Sequence, residues 1–147
     1  MKVVVQRSKH SSVSVNNELI NEIDFGLVIL VGISVDDDIS DLEYIVKKVL
    51  NLRIFDDEDG VMNKSILDVG GSILSISQFT LQASTKDGNR PSYINAMKGD
   101  DAINLYEEFN RRLNESVKTL PGVFGADMQL SILNDGPITI VIDSKNK

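Results

Sequence analysis

The chain of 147 residues has no cysteine and no tryptophan. The lack of cysteine excludes a disulfide framework, a thiol nucleophile and any cysteine-based zinc or iron–sulfur site. Histidine occurs once, at His10. That leaves little room for a histidine-cluster metal site and one candidate base for a Ser-His-Asp triad. His10 lies between Lys9 and Ser11, in what the sequence reads as a polar connection, so a surface residue is expected. Positive charge is also in deficit: 15 Lys and Arg stand against 22 Asp and Glu, for a net charge of −7. A protein that grips nucleic acid mainly through phosphates is expected to be basic, so any nucleic-acid contact here should be local. Long apolar runs are missing as well. The valines at 3–5 stop at Gln6, too soon for a signal-peptide core, and Phe25 to Ile33 cannot span a bilayer. With neither leader nor span, a cytoplasmic protein with no membrane partner is expected.

What is present suits one globular domain over residues 1–147: 41% hydrophobic and 25% charged residues. Val3–Val5 reads as a short strand, Val13 and Val15 alternate with serines as another, and Glu18–Ile23 follows the Asn16-Asn17 turn. Leu27–Ile33 is apolar throughout, the mark of a central strand. The run Asp36-Asp37-Asp38 reads as a solvated loop at a helix start. Ser40 and Glu43 fit a capping box, and Leu42, Ile45, Val46, Val49 and Leu50 trace one face of a helix over Ser40–Leu52. Asp56–Gly60 resembles a calcium loop, but its glycine comes one place too soon, so an acidic turn is expected. Ser72–Phe79 reads as a strand. A second helix spans Asp101–Val117 with an inward stripe of Ile103, Tyr106, Phe109, Asn110 and Leu113, and Pro121-Gly122 ends that region. Met128, Leu130 and Ile132 alternate as a strand, Asn134–Pro137 reads as a turn, and Ile138–Ile142 is the last strand. The tail DSKNK is expected to fray. Strands and helices are partly segregated, which predicts an α+β fold: an antiparallel or mixed, barrel-like sheet with two main helices. No GxGxxG or Walker sequence follows a strand, so no nucleotide cofactor is implied.

Two segments stand out chemically. Ser77-Gln78-Phe79-Thr80-Leu81 closes a strand with hydroxyl and amide side chains, where backbone N–H groups can face a substrate carbonyl. Its bland alternative is an ordinary strand edge. Asn134-Asp135-Gly136-Pro137 reads first as a hairpin turn, with Pro137 removing one ladder donor from the strand that follows.

With these segments in place, the chain closely resembles the D-aminoacyl-tRNA deacylases of the bacterial type. The likeness runs nearly end to end, through VVVQR, FGLVILVGI, LRIFDDEDGVMN, GGSILSISQFTLQA, GNRPS and FGADMQLSILNDGPITI. It implies hydrolysis of the ester between a D-amino acid, or mischarged glycine, and the terminal adenosine of tRNA. No cofactor and no metal are implied. It further implies a homodimer in which Gly136-Pro137, joined by a cis bond, reaches into the partner's site. Ser77, Gln78, Phe79 and Thr80 would form the catalytic segment. Met128 and Phe124 would line the pocket, and Arg7 would support the motif. Val61 departs from the lysine found in many relatives, which removes a cation from a potential tRNA contact. A non-enzymatic dimeric nucleic-acid-binding module on the same fold is the competing expectation; the acidity and the intact SQFTL segment weigh against it.

Overall fold

The computed structural model describes residues 1–147. The strands are β1 (Lys2–Val15), β2 (Glu18–Ile23), β3 (Gly26–Gly32), β4 (Phe55–Asp56), β5 (Met62–Lys64), β6 (Ser72–Ser77), β7 (Thr119–Pro121) and β8 (Gln129–Asp143). The helices are α1 (Ile39–Asn51), α2 (Ile66–Val69) and α3 (Gly99–Asn114), with a 3-10 turn over Phe79–Gln82. The main sheet runs β2-β1-β3-β6-β7, and β8 pairs with β1. β1 is antiparallel to β2, β3 and β8, whereas β3–β6 and β6–β7 are parallel. Parallel neighbours need long crossovers, and here the segments carrying α1 and α3 supply them. Asn21 Nδ2 donates to the Pro121 carbonyl at 2.6 Å, joining β2 to β7. The mixed sheet is thereby nearly closed into a barrel, and the α+β expectation holds.

The core follows from strand periodicity. Leu27, Ile29 and Val31 face α1 and α3, while Val28 faces inward with Leu74 and Ile76, so β3 is buried on both sides as its composition predicts. Leu42, Ile45 and Val49 of α1 and Ala102, Tyr106, Phe109 and Leu113 of α3 supply the helix side. Burying each such large apolar side chain contributes roughly 1.5–3 kcal/mol. Ile103 and Asn110, expected on the inward stripe of α3, are only half-buried.

Several expectations need correction. The two valine segments are one strand of 14 residues. Register shifts near Arg7 and Ser8, both buried, let its two halves pack in different clusters. His10 therefore sits on β1 rather than in a connection, although its side chain is exposed near Glu22 and Asp24. The α1 capping box is formed by Asp38 and Asp41, not Ser40 and Glu43. Asp38 precedes the helix and its carboxylate takes the Ser40 N–H at 2.8 Å, whereas Ser40 is already helical. The second helix starts at Gly99 and ends at Asn114, whose Oδ1 accepts the Thr119 N–H at 2.9 Å. The residues beyond form β7, so Pro121 belongs to a strand. α2 is a single turn, too short to show a period.

The acid run is not uniformly solvated. Asp37 is buried and pairs with the Met1 amine, which also donates to Ser144 Oγ at 2.6 Å. The tail is docked rather than frayed: the Ser144 N–H donates to the Met1 carbonyl at 2.8 Å, and Lys145 pairs with Asp41 at 2.8 Å. These partners are distant in sequence, so local charge does not reveal them. In the β4–β5 hairpin the Asp57 carboxylate accepts the Asp59 and Val61 N–H groups at 2.9 and 3.0 Å, which makes the acidic turn. Val61 is exposed there.

Candidate functional site

β6 ends at Ser77, two residues before the expected boundary, and the chain folds at once into the 3-10 turn. The Gln78 N–H still pairs with the Val31 carbonyl at 2.7 Å, so the sheet fixes the start of the turn. The Gln82 side chain donates to the Gly32 carbonyl at 2.9 Å and ties down its far end. Gly32 is required there: a Cβ would lie 2.7 Å from Leu81 Cβ and 3.0 Å from the Gln78 carbonyl oxygen. A helical turn leaves its first N–H groups without internal partners. Here the turn's bonds begin with the Leu81 N–H to the Gln78 carbonyl at 3.2 Å, so Phe79 and Thr80 are the residues whose N–H groups the turn leaves unpaired. Gln78 Nε2 donates to Thr80 Oγ1 at 2.6 Å. An amide is no base, so nothing beside this hydroxyl is built to take its proton.

Two cavities flank the segment and share Ser77, Gln78, Phe79 and Gly125. The larger, about 310 Å³, is closed by Val31, Ile33, Met97, Ala102 and Phe124. The smaller, about 240 Å³, reaches Met128 and Leu130. Phe79 stands 56% exposed between them and meets Tyr93 edge-on, with ring centroids 5.1 Å apart. An exposed aromatic pair at a cavity mouth offers a face to a ligand. A wider concavity of about 600 Å³ lies apart, between α3 and β7, and shares only Phe124 with the larger cavity. No group of three or more His, Cys, Asp or Glu side chains is gathered in a way that would hold a metal ion.

The second motif is not a hairpin turn. Both flanks of Asn134–Pro137 pair with the same strand: Ser8 lies opposite Asn134 and Gln6 opposite Thr139. Residues 135–138 therefore bulge from β8 opposite Arg7 alone. Gly136 has φ +120°, a region suited to glycine, and the Gly136-Pro137 bond is cis. Polar side chains hold the bulge. Asn134 Nδ2 donates to the Arg7 and Ile138 carbonyls, each at 3.0 Å, and Asn134 Oδ1 accepts from Thr139 Oγ1 at 3.2 Å. Arg7, nearly buried, donates to the Asp135 carbonyl at 3.3 Å and the Ile54 carbonyl at 3.0 Å. It also pairs with the Asp56 and Asp135 carboxylates at 3.3 and 3.2 Å.

The structure thus brings together Ser77, Gln78, Phe79, Phe124 and Met128, with Thr80 tied to Gln78, and separately Arg7, Gly136 and Pro137. Gly136 and Pro137 are exposed and line neither cavity of their own chain. Sequence reading missed Val31, Ile33, Met97, Ala102 and the anchoring role of Asn134. The wall residues look like any core residue in sequence. Asn134 carried a weak signal, as an amide beside Gly-Pro within an otherwise alternating strand.

A polar strand-end turn between two cavities on a barrel-like α+β chain is the kind of concave site in which small molecules and reacting groups are bound. Its family can be named. The chain belongs to the D-Tyr-tRNA(Tyr) deacylase family, whose model matches residues 4–143. The family consists of hydrolases acting on aminoacyl-tRNA esters. The chain is also similar to the solved structure of a c-Myc DNA Unwinding Element Binding Protein, at 43% identity and a TM-score of 0.93, over 97% of this chain and 98% of the other. A probable eukaryotic D-amino acid tRNA deacylase shares the fold at 19% identity and a TM-score of 0.81, over 96% and 97% of the two chains. No helix is long and apolar enough to cross a membrane.

Proposed function

We propose that the chain removes D-amino acids, and glycine, from the 3′ end of tRNA, in the compartment of translation, the cytoplasm. Family membership supports the reaction class. The observation that carries the site is the pair of N–H groups, of Phe79 and Thr80, at the start of a 3-10 turn beside two cavities. Water attacks the ester carbonyl carbon, and the carbonyl oxygen takes up the charge. The two N–H groups receive that oxyanion, a contribution of roughly 3 kcal/mol per donor. The terminal ribose hydroxyl beside the ester orients the water and relays its proton to the departing ribose oxygen. Thr80 fits this scheme as a positioning hydroxyl, since its partner is an amide.

Thr80→Ala is therefore expected to lower kcat by no more than about tenfold, where loss of a true nucleophile costs several orders of magnitude. Steady-state release of D-tyrosine from D-Tyr-tRNA checks this. Abolished turnover in a folded Thr80→Ala protein would make Thr80 the nucleophile.

Chirality arises by exclusion. Gly136 and Pro137 of a partner copy lie against the substrate α-carbon and leave no room for an L side chain. A D side chain points away, and glycine presents nothing to exclude. This needs a homodimer, and two features support one. The motif is exposed and lines neither of its own chain's two cavities. β8 pairs only with β1, and its outer edge carries exposed Leu133 and Val141, an edge that proteins ordinarily cover. Light scattering at micromolar concentration is expected to give twice the chain mass of 16.2 kDa. A fully active monomer would contradict the composite site.

A second reading, a nucleic-acid-binding module, is favoured by the similarity to the c-Myc DNA Unwinding Element Binding Protein. The net charge of −7 opposes it. DNA binding without any deacylation would establish it.

A further inference from the structure

Tyr106 of α3 is 3% exposed, and its hydroxyl donates across to the sheet. The phenol donates to the Ser75 carbonyl at 2.7 Å, and the Gly122 N–H donates to the same carbonyl at 2.9 Å. Ser75 and Pro121 are the last residues paired between β6 and β7, while β6 stays paired with β3 through Ser77. Beyond them the two chains part. One continues into Ser77-Gln78-Phe79 and the other into Phe124-Gly125, and both segments line the larger cavity. The hydroxyl thus sits at the fork. The ring serves the second wall, meeting Phe124 with centroids 5.7 Å apart and planes tilted by 42°.

The fork is closely packed. A Cβ at Gly122 would lie 2.6 Å from Met128 Sδ and 3.0 Å from Ile76 Cδ1, so the backbone after β7 is held close against the smaller cavity's lining. Burial pushes the Tyr106 phenol up from its ordinary pKa, opposed by the Asn110 and Ser75 side chains and by the backbone of Gly122 and Ser77. It remains a neutral donor at physiological pH. One turn further along α3, Asn110 Oδ1 is buried without a hydrogen-bond partner.

We propose that Tyr106 is a positioning residue for the deacylation site, its hydroxyl setting where the Phe79 and Thr80 backbone donors lie and its ring setting where Phe124 lies. This rests on the deacylase reading. The two halves of the side chain should then act on different kinetic parameters. A displaced oxyanion donor is felt only in the transition state and lowers kcat, whereas a displaced wall weakens binding of substrate and transition state alike and raises KM.

The test measures kcat and KM on D-Tyr-tRNA, together with Tm, for wild type, Tyr106→Phe, Tyr106→Leu and the control Val49→Ala. Val49 is fully buried in α1, away from both cavities. Tyr106→Phe keeps the ring, and kcat is expected to fall about tenfold with KM unchanged within about twofold. Tyr106→Leu is expected to lose the same factor in kcat and to raise KM by about fivefold or more. Val49→Ala is expected to lower Tm at least as much as Tyr106→Phe while leaving both kinetic parameters near wild type, assayed where each variant is folded. Wild-type kcat in Tyr106→Phe overturns the inference, as does a Val49→Ala control that reproduces the loss. A wild-type protein inert on D-aminoacyl-tRNA would instead bring down the deacylase reading and this inference with it.

Discussion

Replacing Gly136 with alanine is expected to lower kcat/KM on D-Tyr-tRNA by about 100-fold, the scale of loss that a displacement of about 1 Å can impose on a reacting geometry. The backbone there has φ +120°, which L side chains rarely adopt, and an added Cβ would lie 2.8 Å from Ile138 Cγ1 and 3.1 Å from the Ile138 nitrogen. The bulge must move, and with it the element proposed to lie against the substrate α-carbon. Activity on L-Tyr-tRNA should not appear in exchange, because a displaced or bulkier motif fills space rather than opening it. Release assays on both substrates check the outcome. Wild-type turnover in this variant would show that the motif does not border the reacting centre.

The second large effect is expected at Arg7. Its guanidinium, 11% exposed, is shared between the Asp135 and Ile54 carbonyls and two carboxylates. Arg7→Ala leaves the Ile54 carbonyl buried without this donor and the Asp135 carboxylate with only Lys9, 3.9 Å away. Breaking a fully buried pair costs about 3–5 kcal/mol. Asp56 and Asp135 are 52% and 34% exposed, so solvent screens part of that, and about 2 kcal/mol is expected. For a chain of this length that lowers Tm by roughly 4–8 °C at fixed protein concentration. Deacylation should fall by at least about tenfold, since the bulge loses its anchor. Arg7→Lys restores the charge but not the fork that serves several acceptors, so it should recover part of the Tm and little of the activity. Calorimetry paired with the release assay separates the two. Full activity in Arg7→Ala would mean that Asn134 alone holds the motif.

The elements that sequence shows well are those whose periodicity is complete within themselves. Leu27–Ile33 is apolar at every position but Gly32, and a strand buried on both faces requires that. The stripes of α1 and α3 appear for the same reason. Boundaries set by tertiary partners do not appear. Asp38, not Ser40, caps α1, because the chain before it is pinned through Asp37 to Met1. The tail stays docked because Ser144 and Lys145 meet residues from the other end of the chain. At the site, SQFTL and NDGP are visible as unusual polar strings in apolar surroundings. Their local structures differ from the first reading: one is a strand end folding into a tight turn, and the other is a bulge within a single long strand. Alternation continues on both sides of Asn134–Pro137 in either case, so a hairpin and a bulge look alike until the partner strand is known. The cavity walls stay hidden, since nothing about Val31 or Met97 distinguishes a side chain facing a void from one facing another side chain.

The most direct test of the account is the release of free amino acid from D-Tyr-tRNA, L-Tyr-tRNA and Gly-tRNA by the purified protein, followed at equal substrate concentrations. A filter that excludes an L side chain, and reads no side chain positively, predicts rapid hydrolysis of the D and glycyl esters and none of the L ester above the uncatalysed rate. Equal hydrolysis of the D and L esters would contradict exclusion by Gly136 and Pro137, and hydrolysis of none of the three would contradict the proposed activity itself.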